Sequence, residues 1–236
     1  RPPAPGLRLK AMTASEHLRG ARAELIAAAR SGGTWADRYP PIVGRANPAS
    51  VLILFGRLDS IPAQSDDATV AADLDVLLQR RAATLSSHPG QVSFPGGRRE
   101  EQDADDVATA LREAQEETGL DPEGVEVLAT LPPLPLAASN HTVTPVLGWW
   151  RSPSRVAAVD HAETVEVFRV PVATLLDPAT RYTSTLHRMG RTFRGPAFDL
   201  DGTIVWGFTA MVLDALFDAA GWTIPWDRSD ERPIQP

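Results

Sequence analysis

Residues 90–120 join a glycine-rich turn to a segment with the period of an α-helix. Between Asp105 and Thr118 the apolar residues recur three and four positions apart, which predicts one buried stripe. The stripe consists of Val107, Ala110, Leu111 and Ala114. Asp103 is expected to cap the start of this helix, and Gly119 to end it in the left-handed conformation. The fold must therefore hold a tight turn beside an amphipathic helix.

Three glutamates on this helix, Glu113, Glu116 and Glu117, share the face away from the apolar stripe. Like charges at this spacing destabilise a helix by a few tenths of a kcal/mol, so we expect a compensating cation. Arg112 can pair with Glu116 four residues on, which leaves Glu113 and Glu117 for a hard divalent cation such as Mg²⁺ or Mn²⁺. The alternative is a solvated acidic face, the commoner fate of a charge run. The combination of Arg112, the three acids and Gly119 is rare by chance and favours the metal site.

Composition excludes several other chemistries. The chain contains no cysteine, so disulfides, thiolate nucleophiles and thiolate metal sites are absent. Its five histidines include no pair three or four residues apart, which gives no support to a zinc-binding helix. The formal net charge of −7 disfavours nucleic acid as a partner. The sequence shows neither a membrane-length apolar run nor a secretory signal pattern, so we expect a cytoplasmic protein with no membrane partner.

The rest of the chain alternates strand and helix patterns. Helices are predicted over residues 13–30 and from 207 to about 220, where Gly221 follows. Strands are predicted over residues 50–58, 73–80, 125–131, 142–150, 164–170 and 203–206. Trp149 and Trp150 are expected in the core, and the C-terminal tail is expected to fray. These elements predict an α/β (α+β) protein with a mixed sheet and helices on its faces.

The spacing of Gly97, five residues and Asp103, followed by REAQEETGL from Arg112, closely resembles the Nudix box of pyrophosphohydrolases. The resemblance implies the Nudix fold, a mixed β-sheet sandwiched between α-helices. Two departures are present. Eight residues separate Asp103 from Arg112, where seven are usual, and the acidic position holds Asp in place of Glu.

A box one residue longer, preceded by LLQRRAATLSSHPGQVSFPGG at residues 77–97, resembles the Nudix subgroup that hydrolyses coenzyme A. Gln79 stands where that subgroup usually has Thr, and Ser86 where it usually has Arg. The resemblance spans about residues 48–222, which predicts a Nudix hydrolase domain there. Residues 1–47 are then an N-terminal extension with one helix, and residues 223–236 a C-terminal tail.

The resemblance implies hydrolysis of the diphosphate bond of coenzyme A, or of an acylated or oxidised form, to 3′,5′-ADP and 4′-phosphopantetheine. It also implies Mg²⁺ or Mn²⁺ as cofactor and makes a homodimer plausible. Gln79 and Ser86 leave open a second interpretation, in which another nucleoside diphosphate derivative such as NADH or ADP-ribose is the substrate. A third interpretation is a non-catalytic Nudix domain that binds a ligand as a regulator.

The candidate site residues follow from the same pattern. Glu113 and Glu117 are expected to hold the metal, and the resemblance implies that Glu116 joins them, that Arg112 steadies them and that the Gly97 carbonyl adds a ligand. Glu163 is the candidate general base, although it could equally be an acid at the end of a surface strand. Coenzyme A carries several phosphates, so basic or polar contacts are expected. The substrate-binding candidates are Arg81, Arg80, His88, Arg98, Ser139 and Arg191.

Overall fold

The computed structural model describes residues 14–31, 46–58, 73–82, 90–136, 140–160, 162, 164–188 and 190–234, with side chains from residue 20 onward. The helices in these ranges are α1 (Ala14–Arg30), α2 (Asp106–Thr118), α3 (Val172–Leu176) and α4 (Gly207–Ala220). None of them is both long enough and apolar enough to cross a membrane.

The described strands fall into two sheets. The first contains β1 (Asn47–Arg57), β2 (Leu74–Arg81), β3 (Val92–Ser93), β4 (Gly96–Arg98), β5 (Val125–Thr130), β6 (Leu134–Leu136), β7 (His141–Trp150) and β8 (Thr164–Pro171). The second contains β9 (Arg181–Arg188), β10 (Arg191–Leu200), β11 (Thr203–Val205) and β12 (Glu231–Pro233).

The first sheet is mixed and is built around β1. Its main strand order is β3-β2-β1-β7-β5, with β8 beside β2, β4 beside β1 and β6 beside β7. Strands β1 and β7 run parallel, whereas β1 pairs with β2 and β4 in the antiparallel direction. In the second sheet, β9 and β10 form an antiparallel hairpin, and β12 lies parallel to β9.

The alternating side chains of β1 fill two separate cores. Leu52 and Leu54 pack in the cluster that contains Ala110 and Ala114 of α2. The other face of the strand contributes to a larger cluster shared with α1, α4 and the second sheet. Because successive side chains of a strand point to opposite faces, helices cover the first sheet on both sides. This confirms the predicted mixed sheet between helices.

Helix α1 is part of the larger core. Leu25 is fully buried, in one cluster with side chains of α4 and β1. Polar contacts hold the same helix at its flanks. Trp222 Nε1 donates a hydrogen bond to Glu24 Oε2 at 2.6 Å, and Arg22 pairs with Glu126. The N-terminal helix therefore packs tightly against the rest of the fold.

The second sheet departs from the sequence prediction. Strands β9 and β10 were missed because their sequence is polar and rich in arginine, without a regular apolar alternation. The tail was expected to fray, and this expectation is wrong for residues 231–233, which pair with β9. A cation-π contact accompanies this pairing, since the Arg232 guanidinium lies 4.6 Å from the centre of the Tyr182 ring.

Candidate active site

The glycine turn and the glutamate helix meet directly. The backbone amide of Gly96 donates a hydrogen bond to Glu117 Oε2 at 2.9 Å. Gly96 has φ of 155°, and a Cβ at this position would overlap the carbonyl oxygen of Ser50. Only glycine lets the turn approach β1 this closely, so the turn can supply an amide to the helix acid.

Gly97 makes room for a second acid of the helix. A Cβ at Gly97 would lie 2.5 Å from the carboxyl carbon of Glu113. Gly97 also pairs with Ser50 across strands β4 and β1, which fixes its position. The carboxylate of Glu113 therefore rests against the main chain of the turn, in a space that any other residue would fill.

Glu117 is an acid buried at the centre of the site, with 7% of its surface exposed. Burial raises the pKa of Glu117 to about 7, against the hydrogen bonds from Gly96 and Gln79 that lower it. Burial also raises the pKa of Glu113, although Arg112 opposes this shift. Both acids lie where a positive charge would stabilise their ionised forms.

Arg112 connects the acids of the box. Its Nη1 lies 3.0 Å from Glu116 Oε2 and 3.0 Å from Glu113 Oε1. The predicted pairing with Glu116 is confirmed, but the expectation that it leaves Glu113 without a protein cation is wrong. Its Nε and Nη2 donate to the two carboxylate oxygens of Asp103. These hydrogen bonds from Arg112 hold the pKa of Asp103 well below its usual range. The side chain of Glu116 is 58% exposed and is the outermost of the three glutamates.

The predicted helix cap at Asp103 is wrong. Asp105 is the N-cap, and its Oδ1 accepts a hydrogen bond from Ala108 N at 2.8 Å. Asp103 lies two residues earlier, where its carboxylate is held by Arg112, by the amide of Glu100 and by the hydroxyl of Thr109. The other end agrees with the prediction, since Gly119 closes the helix with φ of 69°.

A cavity of about 270 Å³ opens beside the glutamates. All five side chains that line it carry oxygen: Glu113, Glu116, Glu117, Asp160 and Thr164. Asp160 was not predicted. The segment before it is tied to the end of α2 by Ala157 N to Thr118 O at 2.9 Å and Val159 N to Glu117 O at 3.1 Å. These contacts are between main-chain atoms, so no sequence pattern signals them.

Of the described substrate-binding candidates, Arg81 lies at the glutamates, with its Nη1 3.8 Å from Glu117 Oε1. Arg80 pairs with Glu166 at 2.9 Å, and Arg98 donates to His141 at 3.1 Å. Arg191 begins β10, in the second sheet. None of these four arginines lines the cavity, although Arg81 contacts Glu117, which does. The remaining candidates, which lie outside the described residues, are His88, Ser139 and Glu163.

The chemistry of the cavity suits a hard divalent cation. Carboxylate and hydroxyl oxygens are the donors that Mg²⁺ and Mn²⁺ prefer. In the described part of the chain, no three acidic or histidine side chains converge as a closed metal cluster. Mg²⁺ commonly binds through one or two carboxylates and keeps several waters, so Glu113 and Glu117 are a sufficient protein contribution.

The family is shown by comparison with known proteins. The family model of the NUDIX domain matches residues 65–188. An uncharacterised Nudix hydrolase, NudL, of Cronobacter sakazakii is 39% identical over 141 residues, which cover 60% of this chain and 72% of the relative. The chain belongs to the Nudix family. It is a Nudix pyrophosphohydrolase, an enzyme of the class that hydrolyses phosphorus anhydrides.

A plant protein and a solved structure are also similar to this chain. Nudix hydrolase 22, a chloroplastic protein of Arabidopsis thaliana, is 37% identical over 183 residues. The match covers 75% of this chain and only 56% of that relative. Among solved structures, the NUDIX domain of Shewanella oneidensis NrtR in complex with ADP ribose is 21% identical, with a TM-score of 0.41. It aligns with 70% of this chain and 87% of its own.

Proposed function

We propose that this chain hydrolyses the diphosphate bond of coenzyme A, or of acylated or oxidised coenzyme A, to 3′,5′-ADP and 4′-phosphopantetheine. The observation that carries the proposal is the 3.8 Å approach of Arg81 Nη1 to Glu117 Oε1. Arg81 belongs to the pattern that resembles the coenzyme A subgroup, whereas Glu117 belongs to the Nudix box. Their contact supports a single site built from both motifs.

In this proposal Glu113 and Glu117 would hold Mg²⁺ or Mn²⁺, and the family resemblance adds Glu116 and the Gly97 carbonyl as outer contributors. Nudix hydrolases generally use divalent metal ions such as Mg²⁺. A divalent ion held by these residues would supply charge neutralisation for the diphosphate and activation of the water nucleophile. Arg112 keeps the glutamates in place through its contacts with Glu113 and Glu116.

Arg81 has the role of binding a phosphate oxygen. Guanidinium groups donate parallel hydrogen bonds to phosphates and remain charged at neutral pH. The Arg81 side chain is 24% exposed and lies beside Glu117, which lines the cavity, so it is partly accessible next to the site. The pairing of Arg80 with Glu166 makes Arg80 a weaker candidate for this role.

A proton acceptor for the attacking water is still required, and two acids are candidates. Glu163 is the candidate from the sequence. Asp160 lines the cavity and accepts a hydrogen bond from Ala162 N at 2.8 Å, which steadies its side chain. Comparison of Glu163→Gln with Asp160→Asn identifies the base. The variant that lacks it should lose kcat together with the acidic limb of the pH profile, because the base must be ionised to accept the proton.

One observation favours the second interpretation, in which another nucleoside diphosphate derivative is the substrate. Gln79 stands at the usual Thr position of the coenzyme A pattern, and its side chain is engaged by Glu117 and Thr164. It is therefore not available to bind substrate. If the usual Thr contacts coenzyme A, this chain lacks that contact.

A panel of diphosphates tests the substrate. Coenzyme A, 3′-dephospho-coenzyme A, acetyl coenzyme A, NADH and ADP-ribose are each incubated with the protein and Mg²⁺, and the products are separated by chromatography. We expect the highest kcat/KM for a coenzyme A form, with 3′,5′-ADP as product. The 3′-dephospho compound is the matched control because it differs by one phosphate. Faster cleavage of NADH or ADP-ribose would replace coenzyme A as the assignment.

The regulator interpretation is tested with Glu117→Gln. An enzyme should lose turnover by orders of magnitude, whereas a binding module should retain ligand affinity without metal. Glu123→Gln, at an exposed acid of a short 3₁₀ turn, is the control. The homodimer implied by the subgroup belongs to the same proposal, and light scattering during gel filtration measures it.

A further inference from the structure

Gln79, on β2, has a fully buried amide side chain. It lies between Glu117 of α2 and Thr164 of β8. Its Nε2 donates a hydrogen bond to Glu117 Oε2 at 2.7 Å. Its Oε1 accepts a hydrogen bond from the hydroxyl of Thr164, on β8, at 3.2 Å. Both partners line the cavity. The Gln79 amide therefore connects two residues that line the cavity, Glu117 and Thr164.

The chemistry of the three groups fixes the direction of these hydrogen bonds. Ionised Glu117, the form that would bind a cation, only accepts, so the group that faces it must be the amide NH₂. The amide oxygen of Gln79 is then left for Thr164, whose hydroxyl can donate. A flipped amide would place its oxygen against the carboxylate and lose the bond to Glu117, while the Thr164 hydroxyl can serve either orientation as donor or acceptor. The ionised carboxylate thus selects the orientation of Gln79, and Thr164 supports it by donating to the amide oxygen.

The two oxygens of Glu117 have different surroundings. Oε2 receives two hydrogen bonds, from Gln79 Nε2 at 2.7 Å and from Gly96 N at 2.9 Å. Among the described residues Oε1 accepts no hydrogen bond, and it lies 3.8 Å from Arg81 Nη1. Two hydrogen bonds to one oxygen restrict rotation of the carboxylate and leave the other oxygen available to a ligand.

We propose that Gln79, supported by Thr164, is a positioning residue that restricts the Glu117 carboxylate so that Oε1 is presented to the divalent cation. The inference rests on the proposed role of Glu117 as a metal ligand. It also accounts for Gln at a position where the coenzyme A pattern has Thr. The side chain of Gln is longer, and in this chain its amide reaches the carboxylate while Thr164 supplies the hydroxyl.

Titration of the substrate-free protein with Mn²⁺ tests the inference, with bound ion measured by calorimetry and by the electron paramagnetic resonance signal of free Mn²⁺. Gln79→Met keeps the size of the side chain and removes the donor. We expect Mn²⁺ affinity to fall about tenfold, as for other residues that orient a ligand. Thr164→Val should weaken binding a few-fold, and the double variant should bind no more weakly than Gln79→Met alone. In turnover assays with Mn²⁺ the kcat should fall while KM for coenzyme A is kept.

Two further variants separate the possible results. Ser184→Ala removes a buried hydroxyl that donates to Gly195 O in the second sheet, and it should leave Mn²⁺ affinity unchanged. Glu117→Gln should weaken Mn²⁺ binding. If it does and a folded Gln79→Met does not, the inference about Gln79 is wrong and the metal site stands. If Glu117→Gln binds Mn²⁺ like the wild type, the proposed metal site itself fails. Additive effects of Gln79→Met and Thr164→Val would overturn the role of Thr164.

Discussion

Arg112 and Asp103 form a two-pronged ion pair across the start of the glutamate helix. The Nε atom of Arg112 lies 2.9 Å from Oδ1 of Asp103, and its Nη2 lies 3.0 Å from Oδ2. The same Nη2 donates to the carbonyl of Arg98, at the end of β4. One guanidinium thus ties the helix to the loop before it and to the strand that carries the glycine turn.

This geometry predicts the effect of Arg112→Lys. An ammonium group is a point charge that cannot make two parallel hydrogen bonds, so Asp103 would keep at most part of its pairing. We expect the free energy of unfolding to fall by about 1–3 kcal/mol, measured by urea denaturation. Arg188→Lys, at an exposed position of β9, should change it by less than about 0.5 kcal/mol. Equal stability of the two variants would contradict the structural role of the pair.

Gly97→Ala should separate activity from stability. The new methyl group would meet the flexible end of Glu113, which can move aside at little cost in folding free energy. We therefore expect a thermal midpoint close to that of the wild type but weaker Mn²⁺ binding and lower turnover. Gly195→Ala is the control, since the nearest atom to its Cβ would be 4.0 Å away. Unchanged Mn²⁺ affinity in Gly97→Ala would argue against Glu113 as a ligand.

Gly96→Ala should behave differently, because its methyl group would meet main-chain atoms of β1. The strand cannot yield without losing its pairing with β4 and β7, and φ of 155° is unfavourable for alanine. We expect a loss of several kcal/mol in the free energy of unfolding. Denaturation in urea gives this value, and a stable Gly96→Ala protein would show that the turn is more adaptable than the structure indicates.

Glu117 gives the metal-free protein a pH-dependent stability. The pKa of Glu117 is about 7 in the folded protein, whereas the ordinary value of 4.5 applies to the unfolded chain. The unfolded chain therefore releases the proton first as pH rises. The Glu117 contribution to stability is present below about pH 4.5 and is lost progressively as pH rises through 7, by about 3 kcal/mol in total. Thermal unfolding in chelator should show this loss, and Glu117→Gln should remove it. Addition of Mg²⁺ at pH 7 should restore stability in the wild type only.

Arg81→Gln tests the contact between substrate and the upstream motif. Removal of a charge-assisted hydrogen bond to phosphate costs about 1.5–3 kcal/mol, so KM for coenzyme A should rise about ten- to hundredfold. Steady-state kinetics measures this change. Arg151→Gln, at an exposed arginine after β7, is the control. A fall in kcat with no change in KM would instead assign Arg81 to positioning of Glu117.

Leu25→Ala tests the contribution of the N-terminal helix. Leu25 is fully buried in the core shared with α4, so the truncation should cost about 2–5 kcal/mol. The control must lie on α1 without changing its helix propensity, which excludes Ala23→Gly. Arg30→Gln, at the last residue of α1, is suitable. A loss of only a few tenths of a kcal/mol in Leu25→Ala would mean that α1 is not needed by the hydrolase core.

Local patterns were sufficient to predict the elements that carry the site. The period of Val107, Ala110 and Ala114 predicted α2, and Gly119 predicted its end. The choice between Asp103 and Asp105 as cap could not be made locally. Both acids precede the helix, and only the tertiary contact of Asp103 with Arg112 decides between them. Local signals therefore located the helix but not the partners of its first residues.

Contacts between residues far apart in the sequence could not be predicted from local patterns. Gln79 reads as a departure from a family pattern, and its two partners are 38 and 85 residues away along the chain. Asp160 reaches the cavity through main-chain bonds to α2 that no residue type requires. The strands β9 and β10 pair through polar residues whose spacing resembles that of a loop. In each case the determining interaction is tertiary.

The hydrogen bond from Trp222 to Glu24 joins residues 198 positions apart. It links α1 to the second residue after α4, so the first and last of the described helices are joined. Unfolding that begins at either helix would have to break this hydrogen bond and open the apolar cluster behind it. We therefore expect the fold to resist stepwise peeling by proteases and to lose both helices in one cooperative event.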